Sequence, residues 1–171
     1  MALFTPGQVC NLCGNPMEKR KDVIVFPHMV NNINEPLYFF NGGVFHKSCV
    51  YTHPMGKIAI RQKQFVQENL TPGANRWCTF CDGKISDPNQ LIATGILTLD
   101  ENHPLYEYNW LEAHKRCIPH WDGLPKLVNE MEKYVAEQNW KDIHPEFRAM
   151  SRLINTLKPL IPGRAETAML Y

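Results

Sequence analysis

Six cysteines and two histidines fall into one spacing, twice over. Cys10 and Cys13 stand two residues apart, His46 and Cys49 likewise, and 32 residues separate the pairs. Moving along the chain by 68 positions lands on Cys78, Cys81, His114 and Cys117. No cysteine lies outside the pattern. In a reducing compartment, cysteines in such close pairs are expected to bind metal rather than to form disulfides. Three thiolates and one imidazole are a common tetrahedral set for zinc, at ~2.0–2.3 Å from the ion. A turn with two intervening residues aims both sulfurs of a C-x2-C pair at one point. Gly14 and the Asp82-Gly83 pair supply residues that tolerate the positive φ such a turn needs. His and Cys three apart share one face of a helical first turn. Each half thus gives two ligands, and the chain is expected to bind two zinc ions.

That chemistry is structural. Four protein ligands leave no position for water or substrate, no H-E-x-x-H pattern accompanies them, and no cysteine is spare as a nucleophile. The expectation is a protein that is not an enzyme. A segment of about 40 residues cannot bury enough apolar surface to fold alone, whereas a bound zinc ion contributes on the order of 10 kcal/mol to folding.

The repeat extends beyond the ligands. Asn34, Pro36, Leu37, Tyr38, Asn41 and Lys47 recur as Asn102, Pro104, Leu105, Tyr106, Asn109 and Lys115, so the repeat is the unit of folding. "VIVF", "LYFF", "LIATGILTL" and "LYEY" are rich in β-branched and aromatic residues and read as strands. Tyr38 and Tyr106 are expected to pack each hairpin against its helix.

With these parts in place, each copy resembles a treble-clef zinc finger. "CNLCGNPM" and "CTFCDGKI" match the knuckles, "KDVIVFPHM" with "EPLYFFNGGVFH" and "NQLIATGILTL" with "HPLYEYNWLEAH" the hairpins, and "HKSCVYT" and "HKRCIPH" the approach to the helix. H-x2-C followed by an apolar residue is similar to the first site of LIM domains, without the second C-x2-C set that completes a LIM domain. Each site is complete within its own repeat, unlike the interleaved sites of RING-type ligases. The resemblance covers residues 10–50 and 78–118 and implies an α+β fold: two tandem treble-clef, LIM-like zinc modules of knuckle, hairpin and helix.

Between the copies, "GKIAIRQKQFVQENL" reads as a helix stopped by "TPG", with Ile58, Phe65, Val66 and Leu70 as one apolar stripe. After the second copy, Leu124, Leu127, Met131, Tyr134 and Val135 fall at helical spacing. A second such run carries Phe147, Met150, Leu153, Ile154 and Leu157, with Pro145 suited to its first turn and Pro159, Pro162 and Gly163 ending it. These helices are expected to pack within the chain, and "RAETAMLY" reads as a tail. The expected organisation is module 1 over 1–55, a connecting helix and linker over 56–76, module 2 over 77–122, and a helical hairpin and tail over 123–171.

Charge is nearly balanced, with 18 Lys and Arg against 17 Asp and Glu and a pI near 7.7. A dedicated nucleic-acid binder carries a basic face and a higher pI. Neither a signal peptide nor an apolar run of membrane-spanning length is present in the 171 residues, so a soluble, cytoplasmic protein is expected. Five histidines remain: His28, His53, His103, His120 and His144. HNH-type nucleases also use a treble-clef-like metal fold, and His28, Asn41 and His53 are the residues of repeat one that bear on it. Repeat two has Ile96 and Trp121 at the histidine positions. The function expected from the sequence is non-catalytic binding of a protein partner. Nucleic-acid binding is the alternative, through Lys57, Arg61 and Lys63, and HNH-like hydrolysis stands behind it.

Overall fold

The computed structural model describes residues 3–69, 76–143 and 148–163. The chain divides into two units, one formed by Met1–Val30 and Pro36–Thr71, the other by Asn31–Glu35 and Pro72–Tyr171. Both mix helices with a small antiparallel hairpin, an α+β arrangement. Strands β1 (Val23–Val25) and β2 (Val44–His46) pair with Val23 opposite His46. Strands β3 (Leu91–Ala93) and β4 (Glu112–His114) pair with Leu91 opposite His114. The two hairpins are therefore superposable in sequence at the same 68-residue offset. Two strands of three residues are marginal on their own and depend on what is packed and ligated around them.

The expected strands "LYFF" and "LYEY" are not strands. Pro36–Phe40 and Tyr106–Tyr108 form 3-10 helix. The strands that close the hairpins come later, as "VFH" and "EAH". The periodicity explains the difference: at three residues per turn, side chains at i and i+3 share a face. Leu37, Phe40 and Leu105 are fully buried, and Tyr108 is buried with a small part of its side chain exposed. The tyrosines expected to pack, Tyr38 and Tyr106, are half-buried and 37% exposed respectively. β-propensity here reported an apolar surface rather than a backbone conformation.

Repeated Asn41 and Asn109 hold the turn that follows each first strand. Asn41 Oδ1 accepts from Met29 N–H and Val30 N–H, and its Nδ2 donates to the Val30 carbonyl. Asn109 makes the same three bonds to Leu97 N–H, Thr98 N–H and the Thr98 carbonyl. One amide side chain thus satisfies three main-chain groups that the irregular loop leaves unpaired.

In unit 1, Phe26, Phe40 and Phe45 are fully buried against one another, with ring centroids 5.1–5.7 Å apart. Helix α1 (Lys47–Thr52) buries Val50, and α2 (Gly56–Asn69) packs against it. The expected stripe on α2 is not what it buries. Gly56 and Ala59 are buried, Ile58 and Val66 are half-buried, and Phe65 is exposed. Small residues permit the close approach of two short helices. Leu70 and the "TPG" stop lie outside the described residues.

In unit 2, α3 (Leu124–Ala136) and α4 (Ala149–Leu157) do pack internally. Leu124, Leu127, Met131 and Tyr134 join Met150, Ile154 and Leu157 in a core shared with Cys78, Ile85, Leu105 and Ile118. Val135 and Leu153 are half-buried at its edge. His144, Pro145, Phe147 and the tail lie outside the described residues. Helices α2 and α3 start at Gly56 and Leu124, again 68 positions apart, so a helix belongs to each copy of the repeat.

Unit 2 also takes in the Asn31–Glu35 segment. Asn32 is fully buried, donating to the Asn139 carbonyl and accepting from Lys141 N–H. The carboxylate of Glu35 is buried and accepts from Leu99 N–H at 3.1 Å and from the Tyr134 hydroxyl at 3.3 Å. Burial pushes this carboxyl above its ordinary range, against those hydrogen bonds. The folded chain then holds the Glu35 proton more tightly than the unfolded chain. Its contribution to stability is complete below the usual carboxylate range of about 4 and is lost as pH rises through the raised value. Denaturant midpoints measured across pH are expected to fall for the native chain relative to Glu35→Gln as pH rises through the acidic range. A native chain that instead gains on the variant there would show the ionised carboxylate to be the favoured form.

Candidate metal centres

The two knuckles are built alike. The Cys10 N–H donates to the Asn15 carbonyl and the Gly14 N–H returns to the Cys10 carbonyl; Cys78, Gly83 and Asp82 repeat the pair of bonds. Gly14 has φ of 70° and Asp82 φ of 51°, so the left-handed position falls where the sequence offered residues that accept it. Gly83 serves another purpose. A Cβ there would stand 3.3 Å from the Cys81 sulfur and 3.4 Å from the His114 ring, so its absence leaves room for the ligands.

The other two ligands of each set come from the end of a strand and the turn beyond it. His46 closes β2 and Cys49 lies in the first turn of α1. His114 closes β4, but Cys117 precedes only a 3-10 turn, Ile118–His120. Pro119 supplies no N–H to continue an α-helix there. The ligand pair needs only one turn of the right curvature, so both copies present it.

Cys10, Cys13, His46 and Cys49 converge, as do Cys78, Cys81, His114 and Cys117, with the ligand atoms of each group within 4.8 Å of one another. In both groups Nδ1 is the imidazole atom turned toward the sulfurs. His46 Nδ1 lies 3.4 Å from the Cys13 sulfur and 3.9 Å from that of Cys49, and His114 Nδ1 lies 3.5 Å from the Cys81 sulfur. Sulfur at ~2.3 Å and nitrogen at ~2.0 Å from the centre of a tetrahedron would be about 3.5 Å apart. The residues therefore fit a four-coordinate ion, and each cluster could hold one.

The main chain prepares the buried sulfur of each set. His46 N–H donates to Cys10 Sγ and His114 N–H to Cys78 Sγ, both at 3.3 Å. Burial, the largest single influence, pushes both thiols up. Together, N–H donors from His46, Cys13 and Leu12 outweigh it at Cys10, and donors from His114, Phe80 and Cys81 do so at Cys78, bringing both to about 6. Cys49 and Cys117 move the other way, to about 11, through burial and then the neighbouring sulfurs. The Cys13 sulfur, ahead of a smaller opposing effect of burial, holds the His46 imidazole above its ordinary range. An ion entering either cluster would meet one thiol lowered to about 6 and would have to displace the proton of the raised thiol, Cys49 or Cys117, so binding would strengthen as pH rises.

Two histidines outside the clusters do local structural work. His53 and His103 each precede proline and accept, through Nδ1, the N–H two residues on, from Met55 and Leu105. The His53 ring also stacks on Phe39. Asn41, the third residue bearing on an HNH-like reading, has its amide committed to three main-chain bonds, as has Asn109 in the copy that lacks both histidines. Among the described residues, no helix is long and apolar enough to cross a membrane. Comparison with protein-family models, curated proteins and solved structures found no match to this chain.

Proposed function

We propose that the chain is a non-catalytic, zinc-organised adaptor: two treble-clef modules with LIM-like first sites, each holding one zinc ion, presenting surfaces to a protein partner. The observation that carries this reading is that each Cys3His cluster is complete within its own copy. Four ligands close a tetrahedron and leave no open position for chemistry. Apolar side chains set out in the solvent on each unit support the choice of partner. Tyr51 is 62% exposed, Trp77 57%, Val9 54% and Phe39 47%. Val9 and Trp77 occupy the same position in the two knuckles, each one residue before the buried cysteine.

The alternative is nucleic-acid binding. Lys57 and Arg61 are exposed one turn apart on α2, which supports it. Salt separates the two. Capture of one protein by the immobilised, zinc-loaded chain from an extract of its native cells is expected to survive added salt, because apolar contacts carry it. Affinity for DNA or RNA would fall steeply with salt. Retention of nucleic acid in place of a protein, or cleavage of it with added magnesium or manganese, would reverse the assignment.

A further inference from the structure

Beside the second cluster lies a cleft of about 400 Å³ lined by Phe80, Cys117, His120, Trp121, Asp122 and Gly123, within the ~300–1,000 Å³ usual for ligand clefts. Phe80 and Trp121 form a packed aromatic pair on one side of it. The Phe80 and Trp121 rings are 5.0 Å apart and inclined by 31°, and Tyr108 meets Trp121 edge-on at 5.7 Å. The indole lies against the main chain of Gly123: a Cβ at that position would come within 2.5 Å of two of its ring carbons. Glycine is what lets the ring occupy this place.

Among the described residues that line it, Asp122 and His120 are exposed and none is a lysine or arginine. Lys126 on α3 pairs with Glu107 at 2.7 Å and stands 5.8 Å from the centre of the Tyr108 ring. A divalent ion held beside Cys117 by three thiolates and one imidazole would leave a net negative charge there. Aromatic faces are themselves electron-rich and attract cations, indole most strongly. The first copy has no counterpart: Leu12, His53, Pro54 and Met55 stand where Phe80, Trp121, Asp122 and Gly123 would be. His53 there is already occupied with Met55 N–H and Phe39.

From this placement we propose that the cleft receives the cationic end of a lysine or arginine side chain from the partner protein, laid on Trp121 and Phe80 and paired with Asp122. The inference rests on the adaptor reading and assigns its contact point to the second module.

The test is a titration of the zinc-loaded full chain followed by NMR at the indole N–H of Trp121, identified by its loss in Trp121→Phe. The probes are blocked Gly-Lys-Gly and Gly-Arg-Gly peptides, with norleucine and citrulline peptides as uncharged controls of similar shape. The cationic peptides are expected to shift the Trp121 signal saturably, and the neutral ones to leave it in place. Asp122→Asn, an exposed substitution, is expected to weaken the cationic peptides about twofold to fivefold. Equal shifts from the neutral peptides, or a Trp121 signal unmoved by any probe in a folded, zinc-loaded chain, would overturn the proposal. Neither result would touch the adaptor reading, which is judged by metal content and by the salt response of partner capture.

Discussion

Serine in place of Cys78 is expected to reduce bound zinc from two ions per chain to one and to unfold the hairpin and core around the second cluster. Cys78 is 1% exposed and belongs to the same core as Leu105, Ile118 and Leu127. Its sulfur also accepts the His114 N–H at 3.3 Å. Losing it removes one of four ligands and leaves that donor with a weaker partner. A structural zinc ion contributes on the order of 10 kcal/mol, comparable to the entire stability of an ordinary domain, ~5–15 kcal/mol. A hairpin of three-residue strands has nothing of that size to replace it. Elemental analysis and circular dichroism read the two halves of the prediction. Two ions retained by the variant, or a native chain that stays folded and metal-free in strong chelator, would show that the clusters are not what holds these units together.

Alanine in place of Gly56 is expected to destabilise unit 1 by about 3–5 kcal/mol, although helix propensity alone points the other way. In a helix alanine is favoured over glycine by up to about 1 kcal/mol. Here a Cβ would lie 1.8 Å from the Val50 carbonyl oxygen and 2.9 Å from its carbon. Both atoms are main chain, so no side-chain rotation relieves the overlap, and α1 and α2 must separate or tilt. Overpacking of this kind costs several kcal/mol where the backbone has to move. Thermal or urea unfolding gives the sign directly. A more stable Gly56→Ala chain would mean that the α1–α2 approach is looser than the structure has it.

The same pair of positions shows where sequence reading reached its limit. Gly56 and Leu124 are equivalent in the repeat and both begin helices, yet the first is a contact point with no side chain and the second a fully buried leucine. The residues of α2 and α3 are too dissimilar for the repeat to be followed through them by eye. The strand assignment failed for a related reason. Pro36-Leu37 to Phe40 and Pro104-Leu105 to Tyr108 hold apolar residues at i and i+3, the pattern of a tight helical turn, but aromatic composition pointed to strand. Glu35 and Asn32 gave no sign in the sequence of being buried. Their partners, Leu99, Tyr134, Asn139 and Lys141, lie 64 to 109 residues away.

What the sequence determined by itself was the grouping of six cysteines and two histidines into two sets that could each hold an ion. Ligand chemistry depends on residue type and on local turns, and both can be read along the chain. Gly14 and the Asp82-Gly83 pair could be assigned to the turn after each cysteine pair for the same reason, and the structure puts the positive φ of the second turn at Asp82. Only the tertiary structure decided which apolar residues face inward, why Gly56 must have no side chain, and that Phe80 and Trp121 pair on one side of a cleft. Those outcomes depend on how elements meet, across many residues for Phe80 and Trp121 and across the α1–α2 corner for Gly56 and Val50, and steric exclusion at such contacts leaves no periodic trace for a reader of one chain to follow.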